Sequence, residues 1–382
     1  MLNFAHHSHY HTPRLTELRH LYWSHGLAAL GAASVQVLAP VYLLKIGYSV
    51  EQVILFFLIA FVISVPLYGV SGWLISRINA NRVMALGELW IALFFISLFL
   101  LPELGLPIWF AAVFKAADRA FYWPAFHASF SKVKAHRRGG RQVGAMNAVV
   151  IAAHGLAPAL GGVLATVFGI GLVYGIAAGL MLTASVILLN SPDVVKHRPI
   201  RLRNFSRRMV PDFAANFTHS TYYVIEGILW PLLIFLIIPT YAGIGALSSL
   251  AVLSAAAVAL SVGRREERHG ERRYLRRGAA TMSGTHLFRL FATSTTHVAG
   301  INLISGLGQS LLSTSYLSRY YKHADRDPRL EYIVGMETSH AIGLTVQLSV
   351  LLALLQVFPE KTALLVLIGL AVPMSLGVRW IR

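Results

Sequence analysis

Apolar runs of about twenty residues recur from one end of this chain to the other, separated by short polar connections. In α-helical form a run of that length crosses the hydrocarbon of a bilayer, about 30 Å thick. Of the 382 residues 56% are hydrophobic and 13% charged, against roughly 25% charged in a soluble domain. A soluble core cannot absorb that much apolar surface, because the buried fraction is limited by size, whereas a lipid solvent can. The fold expected is therefore an all-α integral membrane protein.

The runs predict helices at 22–44, 50–77, 83–101, 107–132, 142–167, 170–189, 212–238, 241–262, 279–297, 299–321, 332–356 and 360–379. The ninth and tenth are divided at Gly300, because 279–321 is too long for one span and right for two. Basic residues test this division independently, since they concentrate in cytoplasmic loops. Of the 33 Lys and Arg, 28 fall in the termini and loops of one side, two (Lys45 and Lys361) on the other, and three (Lys115, Arg119 and Arg289) inside spans. The expected orientation has both termini cytoplasmic. It accounts for the net charge of +17 through topology and lipid headgroups, so no nucleic-acid partner is expected. There is no cysteine, which excludes disulfides and thiolate chemistry. No cleavable signal peptide is visible in the polar, histidine-rich start.

A shift of 191 residues, half the length, places Gly72 on Gly263, Arg77 on Arg268, Arg82 on Arg273, Gly87 on Gly278 and Gly144 on Gly335. Two pseudo-symmetric six-helix bundles follow, with the organisation 1–21 tail, 22–190 first bundle, 191–211 basic linker and 212–382 second bundle.

Residues 72–83 (GWLISRINANRV) and 263–274 (GRREERHGERRY) resemble the G-x-x-x-D-R-x-G-R-R loop signature of the major facilitator superfamily. The second copy keeps Gly263, Glu267 for Asp, Arg268, Gly270, Arg272 and Arg273; the first keeps Gly72, Arg77 and Arg82 but has Ser76 for the acid and Asn79 for the second glycine. In GAMNAVVIAAHGLAPALGG, Gly144, Pro158, Gly161 and Gly162 match the antiporter signature G-x8-G-x3-G-P-x2-G-G, while Ala153 and Ala157 replace glycines. FYWPAFHASF in the fourth helix is also similar to this superfamily. The resemblance implies a secondary transporter whose halves rock about a central cavity lined by helices 1, 4, 7 and 10. It implies a cytoplasmic gate at the paired loops, and its helix-5 signature is associated with export.

Ionisable groups at membrane depth are costly and usually functional. Asn216, His219, Tyr223, Glu226 and Trp230 share one face of the seventh span by spacings of 3, 4, 3 and 4. Glu226 is a candidate proton carrier, or else a structural acid bonded to a neighbouring helix. Lys115, Asp118 and Arg119 cluster in the fourth span, with Tyr122 and Phe126 continuing that face. One carboxylate cannot neutralise both cations, so the centre would attract an anionic substrate group or pair with Glu226. The resemblance adds that this helix often carries a basic residue for proton coupling. Gln36, Gln309 and Asn302 are further lining candidates, beside Ser305, Tyr316 and Tyr320 of the tenth span and Glu337, His340 and Gln347 of the eleventh. Arg289 lies near the middle of the expected ninth helix, which by the resemblance faces lipid; it would then snorkel, or the bounds of that helix lie elsewhere.

The motifs H-E-x-x-H, G-x-x-x-x-G-K-[ST] and G-x-S-x-G are missing, so neither an enzyme nor a cofactor is expected. The sixteen histidines raise a carrier of metal or metal chelates as an alternative; no resident metal site is expected, because the intramembrane histidines are scattered. A transporter-like scaffold or sensor is the other alternative. The expected partners are a small-molecule substrate, protons and membrane lipids, acting on a monomer in a bacterial inner membrane.

Overall fold

The structure is a computed structural model that describes residues 11–133, 139–192 and 198–382, with side chains described at all of these except 11–15, 133, 139–152, 202 and 260–269. Among the described residues there are helices and no strands. They form twelve spans. Span 1 comprises α1 (His11–Val35) and α2 (Ala39–Lys45). Spans 2 to 6 are α3 (Val50–Ile78), α4 (Ala80–Leu104), α5 (Ile108–Val133), α6 (Gly139–Val167) and α7 (Ile170–Leu189). Span 7 comprises α8 (Val210–Val224), a π-turn over Ile225–Leu229, and α9 (Trp230–Ile237). Spans 8 to 11 are α10 (Tyr241–His269), α11 (Glu271–Arg289), α12 (Thr295–Arg326) and α13 (Arg329–Leu355); span 12 is α14 (Glu360–Met374), extended by a 3-10 turn over Ser375–Trp380. Eight of them are apolar enough to cross a membrane by composition alone. Span 5 enters only as the shorter apolar stretch Ala153–Val167, and spans 4, 9 and 10, which carry Lys115, Arg119, Arg289 and the polar stripe of Asn302 and Ser305, are the others not among the eight.

The two halves repeat one another in detail. Pro40 and Pro231 stand 191 residues apart, and each follows a defect in its helix, the turn at 36–38 in span 1 and the π-turn at 225–229 in span 7. Proline has no N–H to donate to the residue four before it and clashes with that carbonyl, so each defect lies where the ring forbids the regular bond. Ser49 and Thr240, another such pair, cap spans 2 and 8, accepting from the backbone N–H of Gln52 at 3.1 Å and of Gly243 at 3.2 Å. Gly87 and Gly278 let spans 3 and 9 meet spans 4 and 10: a Cβ on Gly87 would lie 2.7 Å from the Tyr122 backbone, and one on Gly278 2.5 Å from that of Leu312. Asn79 and Gly270 form the sharp breaks between spans 2 and 3 and between spans 8 and 9, with φ of 107° and 86°.

Across the halves, span 5 packs on span 8 and span 2 on span 11. The helix-5 motif builds the first contact. A Cβ on Gly162 would lie 2.3 Å from the Tyr241 carbonyl oxygen, and one on Gly245 2.1 Å from that of Pro158. Gly161 meets span 1 in the same way, 2.0 Å from the Ser34 carbonyl oxygen. Gly144 lies outside the described side chains. At the second contact Gly72 faces Val334 of span 11 and Ile200 of the linker. The linker is held down there, since Glu331 accepts from Arg201 N–H at 3.0 Å and from the Asn204 amide at 2.8 Å.

Two expectations are corrected. The ninth span is Glu271–Arg289 and the tenth starts at Thr295; the break lies at 290–294, where Ser294 caps His297 N–H at 3.3 Å, and Gly300 sits within span 10 with open space around it. Span 1 begins at His11, so some of the expected tail is helical.

Asn79 is the one non-glycine residue with positive φ among those described, at φ 107° and ψ 164°, a region that costs a side chain about 1–3 kcal/mol. Its side chain caps Arg82 N–H at 2.8 Å, and exchanging such a cap for glycine costs only a few tenths of a kcal/mol. Asn79→Gly should therefore raise the thermal midpoint in detergent, while Asn79→Ala, which keeps the strain and loses the cap, should lower it; a lower midpoint for the glycine variant would refute the strain.

Candidate functional site

Two apolar clusters, each drawing on both halves, lie at opposite ends of the bundle. The end bearing the basic loops is closed by Leu21, Tyr68, Phe130, Tyr320, Tyr332 and their neighbours, and the far end by residues such as Val35, Phe61, Ile228 and Leu348. On span 4, Lys115, Asp118 and Arg119 lie between Ala111 and Ala112 of the far cluster and Ala120 of the other, while the polar groups around Glu226 adjoin the far cluster, of which Trp230 is a member.

In the first half, Lys115 pairs with Asp118 at 2.9 Å, one turn apart on span 4. Arg119 is buried, and no carboxylate stands within ion-pairing distance of it among the described residues. Its guanidinium lies instead over the ring of Tyr223, 4.6 Å from the centroid, and over Phe61 at 5.5 Å. Tyr223 belongs to span 7, so this cation–π contact joins the halves at mid-depth. Tyr122 bonds to His25 Nδ1 of span 1 at 2.5 Å, and His25 stacks on Phe126 at 4.2 Å. Glu88 of span 3 is fully buried, and its Oε1 has no hydrogen-bond partner.

In the second half, Glu226 sits within the π-turn and accepts from Arg289 at 2.5 Å and from Ser305 at 2.7 Å. Arg289 therefore does not snorkel. Its side chain is wholly enclosed, because the ninth helix ends there rather than eight residues later. It donates also to Ser305 at 3.2 Å, meets His286 Nδ1 at 3.0 Å, and lies over Trp230 at 4.8 Å. Trp230 Nε1 donates to Asn302 at 2.7 Å, and Asn302 donates to the Leu247 carbonyl at 2.7 Å. One network thus joins spans 7, 8, 9 and 10. The alternative in which Lys115 or Arg119 reaches Glu226 is not what the structure adopts, since Arg289 holds that place.

Other predicted residues separate. Asn216 donates to the Met336 carbonyl at 2.6 Å and accepts from Tyr316 at 2.6 Å, so it fastens spans 7, 10 and 11. His219 stacks on Tyr316 at 4.4 Å and lies 6.0 Å from His340. Gln347 donates to Ser220 at 2.7 Å. Gln309 is half-buried beside Tyr222. Gln36 is half-buried in the turn of span 1, at the level of its pseudo-symmetric counterpart, the π-turn. Among the described residues no three His, Cys, Asp or Glu side chains converge as metal ligands.

The residues of the expected gate are engaged as follows. Arg77 lies over Trp73 of its own helix at 5.8 Å, and neither it nor Arg82 forms an ion pair among the described residues. The side chains of Gly263, Glu267 and Arg268 lie outside the described ones. In the second loop the engaged acid is Glu271, which accepts from Ser318 at 2.8 Å and from Lys322, both on span 10 of the same half. The halves meet at this end through other residues: Arg329 donates to Ser131 at 2.8 Å, His127 Nδ1 and the Tyr321 hydroxyl lie 2.8 Å apart, and His127 Nε2 faces Glu337 Oε1 at 3.6 Å. Sequence spacing carried no signal for these contacts, because each joins positions roughly two hundred residues apart.

Removing one member of a buried ion pair costs about 3–5 kcal/mol, while removing both costs far less. Arg289→Gln should lower the thermal midpoint markedly, and Glu226→Gln combined with Arg289→Gln should recover much of the loss. Simple additivity of the two in a double-mutant cycle would show that the pair is not coupled.

A search of the curated proteins returns no match. The sequence model of the Major Facilitator Superfamily matches residues 21–240, more than half of the chain, covering the first bundle, the linker and span 7. With twelve spans, two repeated halves and a buried polar layer between two apolar seals, the chain belongs to the Major Facilitator Superfamily of membrane transporters.

Proposed function

We propose that this protein is a secondary active transporter that moves a small molecule by alternating access, coupled to protons, with export favoured over import. The observation that carries the reading is the layer of buried ionisable groups held between two apolar seals, each seal built jointly by the two halves. Rocking one half on the other about the contacts of spans 2 with 11 and 5 with 8 would open either seal while keeping the other shut, exposing the layer to each side in turn. The glycine-rich helix-5 motif at the pivot, with Pro158, Gly161 and Gly162, supports export by its likeness to antiporters.

The substrate is expected to bear negative charge. Asp118 already matches Lys115, so Arg119, beside the Tyr223 ring, is the cation available to it. Glu226 is the proton carrier in this reading. An anionic substrate arriving at the layer would compete with Glu226 for Arg289, a proton would compete with Arg289 for Glu226, and the π-turn that holds Glu226 gives that segment room to shift. The basic loops and both termini face the cytoplasm of a bacterial cell, by the same positive-inside logic, and a monomer is the working unit.

The test is proton movement in proteoliposomes loaded with a pH dye and challenged with a panel of small organic anions, wild type against Glu226→Gln and Arg119→Gln. Substrate-driven proton flux in the wild type, abolished by Glu226→Gln and reduced at least tenfold in apparent affinity by Arg119→Gln, is expected. Flux that survives Glu226→Gln moves the carrier role to another buried acid. Absence of flux with every compound would instead favour a transporter-like scaffold or sensor.

A further inference from the structure

Where spans 9 and 10 meet at the basic end, a hollow of about 590 Å³ is lined by Arg272, Arg273, Arg276, Arg277 and Arg319, with Gly270 and Glu271. Charge runs at such an end are ordinarily explained by topology alone, but topology asks only for cations near the surface, facing water. Here four arginines at positions i, i+1, i+4 and i+5 of span 9 are gathered opposite a fifth on span 10, around one concavity.

Among the described residues the arginines of the hollow outnumber its counter-charge. The one carboxylate among its described lining residues, Glu271, is already engaged by Ser318 and Lys322. None of the five arginines forms an ion pair among the described residues. Arg319 is half-buried, and its Nε is fully enclosed without a hydrogen-bond partner, although an unpaired buried donor of a charged group is expensive. Gly270, at φ 86°, turns the chain so that span 9 starts directly at the hollow, with the free N–H groups of its first turn there. Towards the opposite end of the same two spans, away from the hollow, Leu287, Phe288, Leu303, Ile304 and Leu307 are exposed.

We infer that this hollow is a binding site for a phosphate-bearing anion, clamped between spans 9 and 10. Guanidinium groups pair with phosphate oxygens through two parallel N–H donors, and five of them around one hollow suit a phosphate better than a carboxylate. A phosphate that belongs to an anionic phospholipid would leave its acyl chains in the surrounding bilayer; a free phosphate compound would use the arginines alone. Occupancy ties the 8–9 loop to span 10 and so stiffens the second half at the end where the two halves separate. The site does not depend on which substrate is carried, or on whether one is.

Native mass spectrometry of the full chain in detergent, titrated with phosphatidylglycerol and separately with phosphatidylcholine, tests the lipid source; thermal midpoints with inorganic phosphate against chloride at equal ionic strength test the soluble one. The variant combines Arg276→Gln, Arg277→Gln and Arg319→Gln, with a circular dichroism spectrum to confirm folding. One tightly retained phosphatidylglycerol, weakened at least tenfold in the variant, supports a lipid occupant. A phosphate-dependent rise in midpoint that the variant loses supports a soluble one. Equal retention of both lipids, or equal behaviour of a folded wild type and variant in both arms, would overturn the site. Should the triple variant not fold, Arg276→Gln alone, at an exposed position, decides by the same readings.

Discussion

Helices in a membrane gain nothing from hiding apolar surface from one another, because lipid is as apolar as they are. What holds these twelve together is contact close enough for dispersion and polar bonds to act, and glycine sets how close that is. At Gly87, Gly161, Gly162, Gly245, Gly278 and Gly306 a single added carbon would stand within about 3 Å of a neighbouring backbone. Only because the backbones touch there can short polar side chains bridge helices. Ser249 reaches the Ala159 N–H at 3.0 Å, Ser185 the Ala85 carbonyl at 3.0 Å, and Ser254 the Leu303 carbonyl at 2.9 Å.

The same closeness governs the charges. An arginine or glutamate at membrane depth persists when another span meets it, and each here is met differently. Lys115 finds Asp118 on its own helix, Glu226 finds Arg289 on another, and Arg119 finds only rings. Asp212, at the start of span 7, is fully buried and gathers His323 at 2.9 Å, Tyr332 at 3.2 Å and Arg382 at 2.8 Å; its hydrogen bonds hold the Arg382 guanidinium above its ordinary value. That acid is compensated on every side and reads as a clasp of spans 7, 10 and 11. Arg119 is the contrasting case, a buried cation with a soft partner, and the substrate role proposed for it rests on that difference.

Much of this is legible in the chain. The apolar runs and the basic loops give the number of spans, and the 191-residue shift pairs Gly87 with Gly278, which make the same helix contact in each half. Pro158, Gly161 and Gly162 are legible as close-packing residues but not as the contact between halves, because a motif does not name its partner helix. The ninth span is misplaced when Gly300 is read as a breaker, since glycine is well tolerated in membrane helices. The hydroxyl run Thr293–Thr296, with its capping serine, is the better signal, and it puts Arg289 at a helix end. The seventh span illustrates another limit. Regular spacing puts Asn216, His219, Tyr223, Glu226 and Trp230 on one face, but in the structure Asn216 and His219 meet spans 10 and 11, Tyr223 lies under Arg119 of span 4, and Glu226 and Trp230, at the π-turn before Pro231, join the network around Arg289. Glu337 is legible as a member of a stripe; that His127 faces it is not.

The π-turn in span 7 also has a mechanical meaning. It amounts to one surplus residue in an otherwise regular helix, and each residue of an α-helix advances its side chain by about 100°. Pro231 forbids regular bonding just before it but does not fix which of the residues on its N-terminal side carries the surplus. Displacing that surplus by a single position would swing Glu226 around the helix axis, away from Arg289, while both ends of the span stayed seated. Span 7 can therefore behave as an escapement, in which a small axial change is converted into a quarter-turn of one carboxylate.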